Sequence, residues 1–237
     1  MSLLTVAQAI AEEVGLPAPA TVVGNSDRTA KQLLRLINRA GRILAKKNWN
    51  ILQKEHTFST SASTASYDLP DDFDRFLDLS MWDRTQYWQM RGPLSPGQWQ
   101  VKKSALIATV SMRSNFRVKP DTRVNKFFVD PTPTGIVSLV FEYASNQWVR
   151  DAANAAGKTA YALDTDVSLI SEELLELEGI WRIRNRKGFA YAEEKLEADT
   201  QIDLAYANDR SISVLDMGVS RASPIDASLN VPEGGFG

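Results

Sequence analysis

Apolar residues open the chain at helical spacing. Leu3, Leu4, Ala7, Ile10, Ala11 and Val14 share one face, and Gly15 with Pro17 stops the run. Gly24-Asn25-Ser26-Asp27 reads as a loop ending in an N-cap, Ser26 or Asp27. A long helix is predicted from there to about Asn48. Its apolar stripe is Ala30, Leu33, Leu34, Ile37, Gly41 and Leu44. Lys31, Arg35, Arg39, Arg42 and Lys46 form a basic stripe on the opposite face, at steps of four, four, three and four. Leu33, Leu34 and Ile37 are therefore expected in a helical core.

The period changes after residue 53. Short β-branched or aromatic runs recur between turn residues: His56–Phe58, Phe76–Trp82, Tyr87–Met90, Ile107–Met112, Phe116–Val118, Lys126–Val129 and Ile136–Tyr143. Pro70, Gly92-Pro93, Pro120-Asp121, Pro131 and Pro133-Thr134-Gly135 punctuate them. Such spacing predicts a small antiparallel sandwich or open barrel. Ser95-Pro96 breaks the pattern, as an N-cap and first-turn proline that predict a short helix through Lys103.

Helical spacing then returns. Asp151–Lys158 reads as a loose turn, followed by one long helix from about Leu169 to Asn208. Glu172, Glu173, Glu176 and Glu178 crowd its first turns, where the helix dipole favours anions. Gly179 and Gly188 inside it predict a kink or close packing. Beyond residue 210 the chain is rich in Ser, Gly, Pro and Asp, with isolated apolar positions and too few of them for a core.

The expected fold is α+β. A helical bundle of N-terminal and C-terminal helices carries an inserted small antiparallel β domain and an extended C-terminal arm. The boundaries read as 1–53 for the N-terminal helices and 54–148 for the β-rich insertion. Residues 149–210 hold the loop and long helix that pack on the first helices, and 211–237 the arm.

Composition narrows the chemistry. The 237 residues are 43% hydrophobic and 24% charged with a net charge of −2, which excludes wholesale disorder and a coiled-coil rod. No cysteine is present, so disulfides, thiolate metal sites and cysteine nucleophiles are excluded. A single histidine, His56, rules out a multi-histidine metal site within one chain. No apolar run reaches the ~18–20 residues of a membrane span. Ala18-Pro19-Ala20 resembles a signal cleavage site, but no Lys or Arg precedes it and Gln8 and Glu12-Glu13 break the apolar stretch. The expectation is a soluble chain made in the cytoplasm.

Candidate catalytic groups are few. His56 lacks a G-x-S-x-G partner motif. Asp68, Asp71, Asp72 and Asp74 cluster within seven residues, but without EF-hand spacing; they read as turn caps and ion-pair partners for Arg75 or Arg84. Gly157-Lys158-Thr159 lacks the earlier glycine of a phosphate loop. No cofactor or metal is expected. Trp49, Trp82, Trp88, Trp99 and Trp148 read as core and interface anchors.

Charge, by contrast, is strongly segregated. Asp27–Lys54 holds eight Lys or Arg against Asp27 alone, and Gln98–Lys126 holds seven against Asp121. Asp164–Glu178 carries six acids and no base. Basic stripes can hold phosphates. Opposite charges on one small chain also suit head-to-tail contacts between identical subunits.

Four features resemble the head-to-tail adaptor proteins of short-tailed phages, the group of tail tubular protein A and of the tail accessory factor beneath the portal. They are the helix Ala30–Arg42 ending in Asn48-Trp49, and the strand Glu55–Phe58. They continue with Tyr67–Arg75 followed by Trp82-Asp83-Arg84, Gly92–Pro96 and Trp99, and end with the late helix and its C-terminal extension. The resemblance implies a structural virion protein, not an enzyme, made in the host cytoplasm and placed at the head–tail junction. It implies a homo-oligomeric ring, dodecameric in that group, that contacts the portal protein and the tail nozzle or tail-fibre components. DNA would pass through its lumen without sequence-specific binding. Lys31, Arg35, Arg39, Arg42, Lys46, Arg182, Arg184 and Arg186 are then candidate subunit or DNA contacts, the late arginines facing either the channel or an acid such as Glu172 or Glu176. Ile212, Val214, Leu215, Met217, Ile225 and Leu229 are candidate portal-docking positions of the arm. Two alternatives stand beside this reading. One is a nucleic-acid-binding protein using the basic stripe of helix 27–48. The other is a hydrolase using Asp71, Asp72 or Asp74, which requires a carboxyl of raised pKa in a cleft.

Overall fold

The computed structural model describes residues 2–104, 114–121, 124–154 and 156–210. The fold is α+β. In chain order it runs α1 (Leu3–Glu13), α2 (Arg28–Leu44), a 3-10 turn (Asn50–Leu52), β1 (Gln53–Ser59), β2 (Ser66–Asp68), β3 (Phe73–Phe76), β4 (Trp82–Asp83), β5 (Trp88–Gln89) and α3 (Pro96–Ser104). It continues through β6 (Asn115–Asp121), β7 (Val124–Asp130), β8 (Ser138–Ser145), β9 (Val149–Arg150), β10 (Gly157–Lys158), β11 (Val167–Ser168), α4 (Glu172–Lys187) and α5 (Ala192–Arg210).

Local chemistry sets the helix ends. Ser2 and Thr5 form a reciprocal capping box at the start of α1. Asp27 caps α2 by accepting from the Thr29 and Ala30 amides. That helix stops at Leu44, short of Asn48, where the Trp49 indole donates to the Leu44 carbonyl at 2.8 Å. The predicted single late helix is two. Gly188 adopts φ +81°, a left-handed conformation that ends α4, and the Phe189 amide turns back onto the Arg184 carbonyl. Gly179 does pack closely, against Ile10 of α1.

β8 is the spine of the largest sheet. β1 pairs with it antiparallel along its whole length, from Gln53 opposite Ala144 to Ser59 opposite Ser138. β3 and β4 share its other edge, Phe76 opposite Tyr143 and Trp82 opposite Val140, and β5 adds outside β4. A second sheet has the order β2-β7-β6, and a third, small one the order β10-β9-β11. The expected strand Phe76–Trp82 is interrupted: Leu79 takes φ +61°, and the Ser80 hydroxyl donates to the Leu77 carbonyl at 2.7 Å, making a turn where apolar count suggested a strand. The expected loose turn at Asp151–Lys158 is the β9–β10 hairpin. The expected strand Ile107–Met112 lies outside the described residues.

Two apolar cores result. The first joins α1, α2 and α4 with Trp49, Leu52, Trp148, Tyr161 and Ile202. The second, between the two larger sheets, holds Met81, Met90, Phe116, Phe127, Leu139 and Phe141, with Phe127 and Phe141 stacked at 5.9 Å. Leu33 and Ile37 are buried as expected, but Leu34 is only half-buried; Leu36 and Ala40 take the core positions instead. Trp148, just beyond β8, closes the first core. It lies so close to α2 that a Cβ on Gly41 would come within 2.0 Å of its ring. Its indole N–H donates to the Thr159 carbonyl at 2.8 Å.

Leu33→Ala and Ile37→Ala are expected to cost about 2–5 kcal/mol each in urea unfolding, and Leu34→Ala distinctly less. Gly41→Ala should be destabilising by about 1–3 kcal/mol, because overpacking against Trp148 outweighs the ~1 kcal/mol gain in helix propensity.

Candidate interaction surfaces

The face of α2 opposite its core carries Lys31, Arg35, Arg39 and Arg42, and Lys46 continues it just past the helix end, all exposed. Among the described residues none of the five has an ion-pair partner. Ile43, 40% exposed, lies on the same side, four residues beyond Arg39. At its C-terminal end the face runs into a cleft of about 290 Å³ lined by Arg42, Ala45, Lys46, Asp74, Asn146, Trp148 and Thr159. The Asn146 side-chain oxygen is buried there with no hydrogen-bond partner.

The late arginines are engaged differently. Arg182 closes on Glu178 of its own helix, Nε at 2.8 Å and Nη2 at 2.5 Å, with only 11% of its side chain exposed. Arg184 pairs with Glu194 at 2.6 Å, tying α4 to α5 across the Gly188 turn. Arg182 and Arg184 thus pair with Glu178 and Glu194, whereas the sequence had offered Glu172 and Glu176. Arg186 is exposed.

Half of the acidic run 164–178, namely Asp164, Asp166 and Glu178, is consumed inside the chain. The Asp164 carboxylate accepts from the Val22 and Val23 amides, at 3.1 and 2.7 Å. Asp166 is fully buried, holding Lys158 at 2.5 Å and the Ala162 and Leu163 amides. Burial alone would raise its pKa, but these partners outweigh burial and hold it below the ordinary carboxylate value. Of the remaining acids, Glu176 has a raised pKa from burial, reinforced by Glu172 and Glu173.

A different acidic surface takes its place. α5 carries Glu193, Glu194, Glu197, Asp199, Asp203 and Asp209 against Lys195 and Arg210. Its inner side buries Ala198 and Ile202, while Leu196 and Leu204 are 69% and 53% exposed on the outer side. Counting acids beyond Glu178 would have found this helix in the sequence.

Three of the candidate catalytic groups, Asp72, Asp74 and His56, are engaged in structural contacts, and Asp71 is exposed. Asp72 accepts from Lys54 at 2.5 Å, Ser145 at 2.7 Å and Tyr143 at 2.8 Å. Burial pushes its pKa up, but these hydrogen bonds prevail and hold it low, the opposite of what the hydrolase alternative requires. Asp74 pairs with Arg75, and Arg84 with Glu55 rather than with Asp74. His56 stacks on Phe58 and lies tilted against Phe141; burial lowers its pKa, against an opposing pull from Asp72. Lys158 of the Gly-Lys-Thr triplet is bound to Asp166. Among the described residues no group of three or more His, Cys, Asp or Glu side chains could hold a metal ion, and no helix is long and apolar enough to cross a membrane. The larger cleft, about 500 Å³, has a mainly apolar lining of Phe76, Met81, Met90 and Phe116 with Arg91 at its edge. Ile212, Val214, Leu215, Met217, Ile225 and Leu229 lie outside the described residues.

The model of one protein family, described as SU10 adaptor protein, matches residues 1–176. That span covers both apolar cores' principal elements and ends within the first turns of α4. No curated protein matches the chain.

Acid should weaken the fold in two steps. The folded pKa of His56 lies below its ordinary 6.5, so the stability it contributes is full above that value and is lost as pH falls through the folded pKa. Asp72, also lowered, adds a second loss below its ordinary 3.8. Thermal unfolding followed from pH 8 to pH 3 checks this, and His56→Gln should flatten the first decline only.

Proposed function

The chain belongs to the SU10 adaptor protein family, a family of structural phage proteins rather than enzymes, and we propose that it forms a ring at the head–tail junction of the virion. In this reading copies of the chain, twelve in the adaptors it resembles, surround the channel through which DNA leaves the head. One end meets the portal protein and the other the tail nozzle or fibre components. The family match over residues 1–176 carries the proposal. Two physical features support it: segregated surface charge, and a basic face on α2 that is exposed.

We divide the labour as the sequence suggests. Residues 1–53 and 149–210 supply the helical body, 54–148 an appended β module for tail components, and 211–237 an arm for the portal. Ile212, Val214, Leu215, Met217, Ile225 and Leu229 would anchor the arm in apolar grooves, its ordering entropy offset by docking. The exposed cations of α2 also support a second reading, direct DNA binding, in which affinity falls steeply with salt.

Light scattering of the full chain, alone and with the portal of the same genome, tests the adaptor role. A discrete multimer that joins the portal ring is expected. A chain that stays monomeric and ignores an assembled portal overturns it, and salt-steep binding to duplex DNA under those conditions would favour the second reading. Limited proteolysis adds a check on the arm: cuts within 211–237 in the free protein should disappear in the portal complex.

A further inference from the structure

The two surfaces left unsatisfied on this chain match each other. The basic one, on α2 and the turn after it, is a face of five cations, unpaired among the described residues, with Ile43 in line with Arg35 and Arg39. The other is the outer side of α5. Its C-terminal half is fixed to its own chain by the Lys47–Asp203 pair at 2.6 Å, by Asp209 accepting from the Asn50 amide at 2.7 Å, and by Tyr206 edge-on to Trp49. Arg184–Glu194 fixes its start. These contacts leave Glu193, Leu196, Glu197 and Leu204 exposed together, at helical spacing of three, one and seven.

We propose that the basic face of α2 is the seat for α5 of a neighbouring copy of the same chain. The proposal rests on the ring reading and names the two surfaces that would join one subunit to the next. Lengths agree: 17 residues in α2 and 19 in α5, about 25 and 28 Å at the helical rise. Charge agrees, since Glu193 and Glu197 stand four residues apart, as do Arg35 and Arg39. The apolar content separates a protein partner from nucleic acid. Leu196 and Leu204 are eight residues apart, about 12 Å, and with Ile43 they form apolar surface that a phosphate backbone leaves wet. An interface centre prefers such groups, with the charges as its polar rim. The two faces differ, so the contact is heterologous: each copy offers α2 on one side and α5 on the other, and repetition closes a ring if the rotation permits. Of the acidic run at 164–178, which the sequence offered for this role, Asp164, Asp166 and Glu178 are spent internally, and α5 exposes more acids.

Charge exchange tests the pairing in the full-length chain. R35E/R39E and E193K/E197K alter exposed side chains, so far-UV circular dichroism and urea midpoints should stay at wild-type values. Each variant alone should raise the apparent dissociation constant of the multimer at least about tenfold, and the wild-type multimer should weaken with added salt. Carrying all four changes in one chain should restore assembly, because the reversed faces again attract. Retained assembly in R35E/R39E overturns the proposal while leaving the ring intact. Loss in both variants without rescue also overturns it, and duplex DNA binding lost only in R35E/R39E would assign that face to DNA. If the wild-type chain never assembles, alone or on the portal, the ring reading itself fails and the proposal with it.

Discussion

The contact between the Trp148 indole and the bare backbone of Gly41 is the joint on which the rest of the architecture hangs. Trp148 leaves the end of β8, the strand on which the largest sheet is built, and is buried against α2. Its indole N–H is satisfied by Thr159, its carbonyl accepts from the Leu169 amide, and its ring meets Tyr161 edge-on. One side chain thus fixes the sheet to the helices and aligns the segment leading into α4. Any residue at position 41 with a Cβ would push these apart, and the close-packed interior around them has little room to adjust.

Around that joint, charge is sorted by whether the chain itself can satisfy it. Asp72, Asp164, Asp166 and Glu178 are tied to backbone amides, Lys54, Lys158 or Arg182. Asp130 likewise draws Lys103 of α3 onto β7 at 2.5 Å. These pairs position loops. Among the described residues the five exposed cations on the outer side of α2 and the turn after it, and Glu193 and Glu197 of α5, do none of this work. Their placement on the outer faces of two helices, each otherwise well anchored, is a feature the fold does not need for itself.

Much of this was legible in the sequence, and the failures have physical causes. Periodicity located α1 and α2 because each buries one continuous stripe, and Asp27 declared itself as a cap. Within the stripe Leu34 and Leu36 were exchanged, since neighbouring leucines satisfy the same period and only the actual crossing with α4 decides between them. Gly188 was visible as a disturbance, but whether a glycine bends a helix or ends it depends on what the following residues can bury. Phe189 and Tyr191 remain exposed, so nothing held the helix straight. The acidic run misled because the partners of Asp164, at Val22 and Val23, are about 140 residues away in sequence. The exposed acids of α5 could have been counted, yet exposure itself is decided by packing.

The order of the elements has a consequence for how the chain is made. α1 and α2 are complete by Leu44, yet their apolar faces close against α4, which ends at Lys187. At ~5–20 residues per second, ribosomes need on the order of ten seconds to supply the missing helix. During that interval Leu33, Ile37 and Ile10 have no permanent cover, while β1 to β8 can pair among themselves as soon as they emerge. The β module is thus able to form first, held between helices that wait for their partner. The Trp148–Gly41 contact is then able to tie the β module to α2 before α4 arrives to seal the helices.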